Sequence, residues 1–231
     1  WMVTNLGRYL PGKIWQLSGL AVYMRQRRQA GGIALVAALV SQILILATGA
    51  GLGLAVAGGW LASGRLPVSI AAVGLSLVGL AVLLRPDMIR RLAEWITVRV
   101  GEETPQEADL SRGILLRASA GLVLCWAVYG IGLWCLWRGV GGIGGPDPVL
   151  WTGIFAAAYV VGYLALFAPG GIIVREGVLV ALLVEVAVVS GPVAAGIAIA
   201  ARLLAVATEL LAVGIAWGLP GGGQYPEVRS E

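Results

Sequence analysis

The chain of 231 residues is 59% hydrophobic and only 12% charged, with a net charge of +4 and a mean hydropathy of +0.90. A soluble domain carries about 25% charged residues, so the composition excludes an ordinary soluble fold and points to an integral membrane protein. The sequence holds no His, which removes the usual neutral-pH general base and the commonest metal ligand.

A bilayer span needs ~20 mostly apolar residues. Ala30–Gly64 carries no charge but is too long for one upright helix, and Gly49, Gly51, Gly53, Gly58 and Gly59 are expected to bend or break it. Leu66–Leu84 fits one span. Arg85–Gly113 is the one sizeable polar segment. Within it, Asp87–Ile96 places apolar residues at helical spacing. It reads either as an amphipathic interfacial helix, with Trp95 and Ile96 at the membrane surface, or as a plain linker. Glu102, Glu103, Glu107 and Asp109 lack a rigid ligand spacing, so no metal site is expected.

Ala118–Trp137, bracketed by Arg117 and Arg138, is the cleanest span. Its Cys125 and Cys135 lie ~15 Å apart along a helix, too far for a disulfide, and read as small buried packers. Gly139–Gly145 reads as a flexible outer loop; without a following Lys-Ser/Thr it is no phosphate-binding loop. Val149–Ala168 is a further span. Gly177–Val189 is too short alone, and crosses only if the turn at Pro169 begins inside the membrane. Val193–Trp217 is the last span. Trp60, Trp137, Trp151 and Trp217 fall near span ends, as interfacial anchors do.

Basic residues orient the spans. The loop before Ala30 holds Arg25, Arg27 and Arg28, and the Arg85–Gly113 loop holds Arg85, Arg90, Arg91, Arg99 and Arg112. The alternate loops hold only Arg65 and Arg138. The first set is placed in the cytoplasm, together with the C-terminus. This rule accounts for the net charge without nucleic-acid binding, for which no basic, aromatic-rich soluble face exists.

Two short stretches read as copies. Pro11-Gly12-Lys13-Ile14 is followed by Gly19, and Pro169-Gly170-Gly171-Ile172 by Gly177, with an aromatic two residues before each Pro (Tyr9, Phe167). Gly/Pro-interrupted apolar segments in corresponding positions of two halves point to a transporter binding site. A half-helix starting near Gly171 would offer unpaired N–H groups and a positive dipole end. Arg175 would add a forked donor suited to phosphate, and Lys13 a point charge at the other repeat. Gly12, Gly170 and Gly171 would let backbone approach the ligand, and Gln16 and Asn5 could line it. The alternative is two tight turns with snorkelling side chains.

Ionisable groups inside a bilayer are functional candidates by default. Arg202 and Glu209 lie two turns apart on one helix face, and Glu185 precedes them. Either Glu185 and Arg202 form a salt bridge that only fastens two helices, or Arg202 holds a lipid phosphate in a polar cavity. Glu176, Glu185 or Glu209 would then neutralise the arginines when the site is empty.

The run Asn5-Leu6-Gly7-Arg8-Tyr9-Leu10-Pro11-Gly12-Lys13-Ile14-Trp15-Gln16 resembles the first signature of a flippase-like family of bacterial and archaeal membrane proteins. This family is similar to the transmembrane region of lysylphosphatidylglycerol synthase. Ala168-Pro169-Gly170-Gly171-Ile172-Ile173-Val174-Arg175-Glu176-Gly177 resembles the second signature, with Ile173 where the family usually has Gly. The resemblance covers essentially the whole chain. It implies a multi-span inner-membrane protein that moves lipids or lipid-linked glycans between leaflets, with further helices before the first motif. A short tail follows Trp217, so this chain is not expected itself to carry the soluble transferase domain of the two-domain synthases.

The expected fold is therefore an all-α polytopic transmembrane bundle of five to six spans with broken or re-entrant segments and an internal repeat, in one membrane domain over 1–231. The expected function is lipid translocation, with no catalysis, no cofactor and no metal. Its partners would be an anionic phospholipid or a polyprenyl-linked glycan, with a homo-oligomer left open. Two alternatives stand beside it: the non-catalytic membrane subunit of a lipid-modifying transferase system, and a structural membrane protein whose polar residues only join helices.

Overall fold

A computed structural model describes residues 31–61, 112–145, 147–165, 171 and 173–218, with seven single positions between 85 and 98. Among the described residues every regular element is helical. The chain forms α1 (Gly31–Leu61), α2 (Arg112–Gly139), α3 (Pro148–Leu164), α4 (Val174–Glu185) and α5 (Gly191–Gly218). Three stretches are long and apolar enough to cross a membrane, Leu35–Leu54, Arg112–Gly139 and Gly191–Ile215. These are the helices of a membrane protein. The expected span Leu66–Leu84 lies outside the described residues.

The glycines of α1 do not break it. The helix runs unbroken for 31 residues, ~46 Å at 1.5 Å per residue. Two of the glycines instead mark close approaches. A Cβ on Gly49 would lie 2.8 Å from the Trp126 ring of α2, and one on Gly53 would lie 3.1 Å from Ala157 of α3. Without a hydrophobic drive between helices in lipid, close backbone approach through small residues supplies much of the packing energy.

The 17-residue α3 occupies the centre, packed against α1, α2 and α4. Asp147 caps it, accepting the Val149 and Leu150 amides at 3.0 and 3.1 Å, and Pro148 supplies a first residue with no amide to satisfy. Its tightest neighbour is α2, where a Cβ on Gly130 would collide with the backbone and hydroxyl of Thr152. Thr48 adds a polar tie between α1 and α2. Its hydroxyl donates to the Leu44 carbonyl at 2.7 Å and accepts the Trp126 indole N–H at 3.1 Å.

Three sequence expectations change. Trp137 and Trp151 lie at helix ends but are buried, with ring centroids 5.3 Å apart. They serve as core rather than as anchors facing headgroups. Gly142 and Gly145 of the presumed flexible loop press on the Trp137 ring, where no Cβ would fit, and the Gly142 amide donates to the Trp137 carbonyl at 3.1 Å. Cys125 and Cys135 are free and exposed on α2, not buried packers.

The polar segment before α2 is helical at Asp87, Ile89, Arg91, Glu94, Trp95 and Val98. Ile89 is buried with Val36, Val40 and Leu44 of α1 and Leu115 of α2, while Trp95 and Val98 are exposed. Ile89 therefore anchors this segment to the bundle. Outward, Leu116, Leu124 and Val128 of α2 and Leu203, Leu210 and Leu211 of α5 are exposed. An apolar outer surface of this kind suits lipid rather than water.

Candidate functional site

The second motif lies where α3 hands over to α4. Its middle glycine, Gly171, has φ +71°, a conformation open to glycine at no steric cost. A Cβ there would stand 2.7 Å from the Gly162 carbonyl oxygen, and a Cβ on Gly162 would stand 2.6 Å from the Arg175 Cβ. The contact between α3 and the head of α4 thus depends on two missing side chains. Ile173, which stands where the resembled signature carries Gly, itself has φ +74° and ψ −49°. The backbone keeps a glycine-like turn, close to a strained γ-turn, in spite of a β-branched residue.

α4 begins at Val174, three residues later than a start at Gly171. At 12 residues it is ~18 Å long, too short to cross ~30 Å of hydrocarbon upright. A tight turn through Val188 (φ +55°) leads into α5, which folds back along it. The pair is a hairpin of one short and one long helix.

Glu176 has two roles at the start of α4. One carboxylate oxygen accepts the Ile173 amide at 2.7 Å. This is one half of a capping box, the other half being impossible because Ile173 has no side-chain acceptor. The other oxygen stands 3.6 Å from the Arg202 guanidinium of α5, with both side chains about one-fifth exposed. One of the amides expected to meet an anion at this helix start is therefore already used by Glu176.

Arg175 takes a different course. Its guanidinium lies over the Phe155 ring, 4.9 Å from the centroid, and over the Tyr159 ring at 5.3 Å. Phe155, Tyr159 and Gly162 share one face of α3, at i, i+4 and i+7. The Arg175 Cβ rests on Gly162, and its side chain runs back along that face. Among the described residues it makes no ion pair. Arg175, Glu176, Leu179, Ala198, Ala201 and Arg202 line one small open cleft, with unfilled room on the order of one water molecule.

Three of the sequence-predicted site residues, Arg175, Glu176 and Arg202, thus meet in one cleft, with Gly171 behind them. Arg202 meets Glu176, whereas Glu185 sits at the far end of α4, ~13 Å further along the axis. Glu209 lies two turns beyond Arg202 on α5. Gly12, Lys13 and Gln16 of the first motif, and Gly170 of the second, lie outside the described residues, and with them the pairing of the two repeats.

Sequence reasoning missed Phe155 and Tyr159. The available signal was an aromatic pair one turn apart, followed by a glycine on the same face, in a chain with only two Phe. Among the described residues no group of three or more His, Cys, Asp or Glu could hold a metal. No protein-family model, no characterised protein and no solved structure matches the chain.

Proposed function

We propose that this chain is a membrane lipid translocase, whose anionic headgroup docks in the cleft between the start of α4 and the middle of α5. The observation that carries the reading is that two arginines and one carboxylate line the same cleft at the head of the α4–α5 hairpin, with Glu176 on Arg202 and Arg175 beside them. At 3.6 Å the pair is longer than a good charge-assisted hydrogen bond, so holding helices together is a weak reason for it. Guanidinium forks match phosphate oxygens with paired hydrogen bonds. Glu176 occupies Arg202 when the cleft is empty and yields it to a headgroup phosphate.

An anionic phospholipid or a polyprenyl-linked glycan satisfies this chemistry, and the first Pro-Gly motif would supply Lys13, Gly12 and Gln16 from the other half. Rocking of one half against the other would open the site to either leaflet. No catalytic step is assigned to the chain, and a prokaryotic inner membrane is the location that the resemblance of its motifs implies.

The test is leaflet exchange of fluorescent anionic and zwitterionic lipids in proteoliposomes. The wild type is expected to favour the anionic lipid, and Arg175→Ala to lose that preference without loss of helical content. Undiminished selectivity in Arg175→Ala would overturn the site. A wild type that moves none of these lipids would overturn phospholipid as the cargo, in favour of a lipid-linked glycan or of a subunit role.

A further inference from the structure

We propose that Tyr159 is a positioning residue that, with Phe155, holds the Arg175 guanidinium over an aromatic shelf and keeps its donor edges free for an anion. The inference rests on Arg175 as an anion-binding group and goes further by assigning the residues that aim it.

A guanidinium can be fixed in two ways. A carboxylate partner holds it by its N–H groups, which are then used up. An aromatic face holds it by the π-cloud and leaves the N–H edges available. The two arginines of the cleft are held differently. Arg202 has Glu176 at 3.6 Å, whereas Arg175 lies 4.9 and 5.3 Å from two ring centroids and makes no ion pair among the described residues. Arg175 is thereby the pre-aimed donor and Arg202 the one that must first release its counter-ion.

The shelf is itself fixed from behind. Tyr129 of α2 stacks on Phe155 with centroids 4.9 Å apart and planes 6° from parallel. Trp126 of α2 meets Tyr159 edge-on at 5.2 Å and Phe155 at 6.3 Å. The Trp126 indole is in turn tied to Thr48 of α1. Three helices therefore hold two rings in place under one side chain of a fourth. Ordering of this kind lowers the entropy lost when a ligand is captured.

A shelf that only filled space would tolerate any side chain of similar volume, whereas one that aims Arg175 requires a π-face. The experiment measures the anionic-to-zwitterionic ratio of leaflet exchange by the full chain in proteoliposomes, for Tyr159→Phe, Tyr159→Leu and Tyr159→Leu in an Arg175→Ala background. Tyr159→Phe should keep the wild-type ratio. Tyr159→Leu should lower it roughly three- to tenfold, the range expected for a partly desolvated cation–π contact. In the Arg175→Ala background the Leu substitution should lower it no further, because Tyr159 acts through Arg175.

If Tyr159→Leu does not fold, Phe155→Leu at the other end of the shelf serves for the same comparison. A selective wild type whose ratio survives the Leu substitutions overturns the shelf alone, as does an equal loss with or without Arg175. A wild type without headgroup preference overturns the anion site itself, and the shelf with it.

Discussion

Glu176 and Arg202 join the first turn of α4 to the middle of α5 across 3.6 Å, and the same Glu176 side chain accepts the Ile173 amide at 2.7 Å. One carboxylate thus ends a helix and covers a cation on its neighbour. The first role needs only an oxygen acceptor, and the second needs a negative charge.

Glu176→Gln separates these roles. The amide oxygen can still accept the Ile173 N–H, so α4 should start as before. Arg202 loses the negative charge 3.6 Å away and yields more readily to a headgroup. The mole fraction of anionic lipid giving half-maximal exchange should fall roughly two- to fivefold, about 0.4–1 kcal/mol. An unchanged or higher value would reduce Glu176 to a cap.

Ile173 should accept glycine with a gain. Its φ of +74° disfavours a β-branched residue, and its side chain is 80% exposed. Relief of strain of order 1–3 kcal/mol outweighs the ~0.5–1 kcal/mol of extra unfolded-chain freedom that Gly brings. Ile173→Gly should raise the thermal unfolding midpoint of the purified protein, and Ile173→Val should not. A lower midpoint for the Gly variant would mean that the Ile173 side chain contributes packing that its exposure does not reveal.

Gly130→Ala should be among the most damaging small changes in the described bundle. The added methyl meets the Thr152 backbone, which cannot swing away as a side chain would. A cost of about 2–4 kcal/mol is expected, seen as loss of monodisperse protein after extraction. Gly121→Ala and Gly132→Ala, on the same helix with nothing within 4 Å of the new methyl, should be neutral or slightly stabilising because Ala is the better helix former. Equal behaviour of all three would contradict the α2–α3 contact.

Cys125 sits near the middle of α2, exposed and unpaired. If the outer face of α2 meets lipid, a charged maleimide should leave Cys125 unlabelled in intact membranes and label it after solubilisation, while a membrane-permeant maleimide reaches it in both. Rapid labelling of Cys125 by the charged reagent in membranes would place that face in water.

The sequence by itself determined the class of molecule. Its shortage of charge excluded a soluble domain, and uncharged runs located α2, α3 and α5, with ends within two residues for α5, four for α3 and six for α2, because hydrophobic length is a property of consecutive residues. It also singled out Arg175, Glu176 and Arg202, since a charge inside an apolar segment stands out without any knowledge of the fold. Pairing was a different matter. Nothing in the spacing of Glu185 and Arg202 says that Glu176 is the closer carboxylate, because that depends on where α4 starts and how the hairpin turns back. The continuity of α1 through its glycines, the burial of Trp137 and Trp151, and the aromatic shelf under Arg175 likewise required the bundle. A glycine that breaks a helix and one that admits a neighbour read identically in one dimension. Only the approach of Trp126 and Ala157 to α1, and of Arg175 to Gly162, distinguishes them.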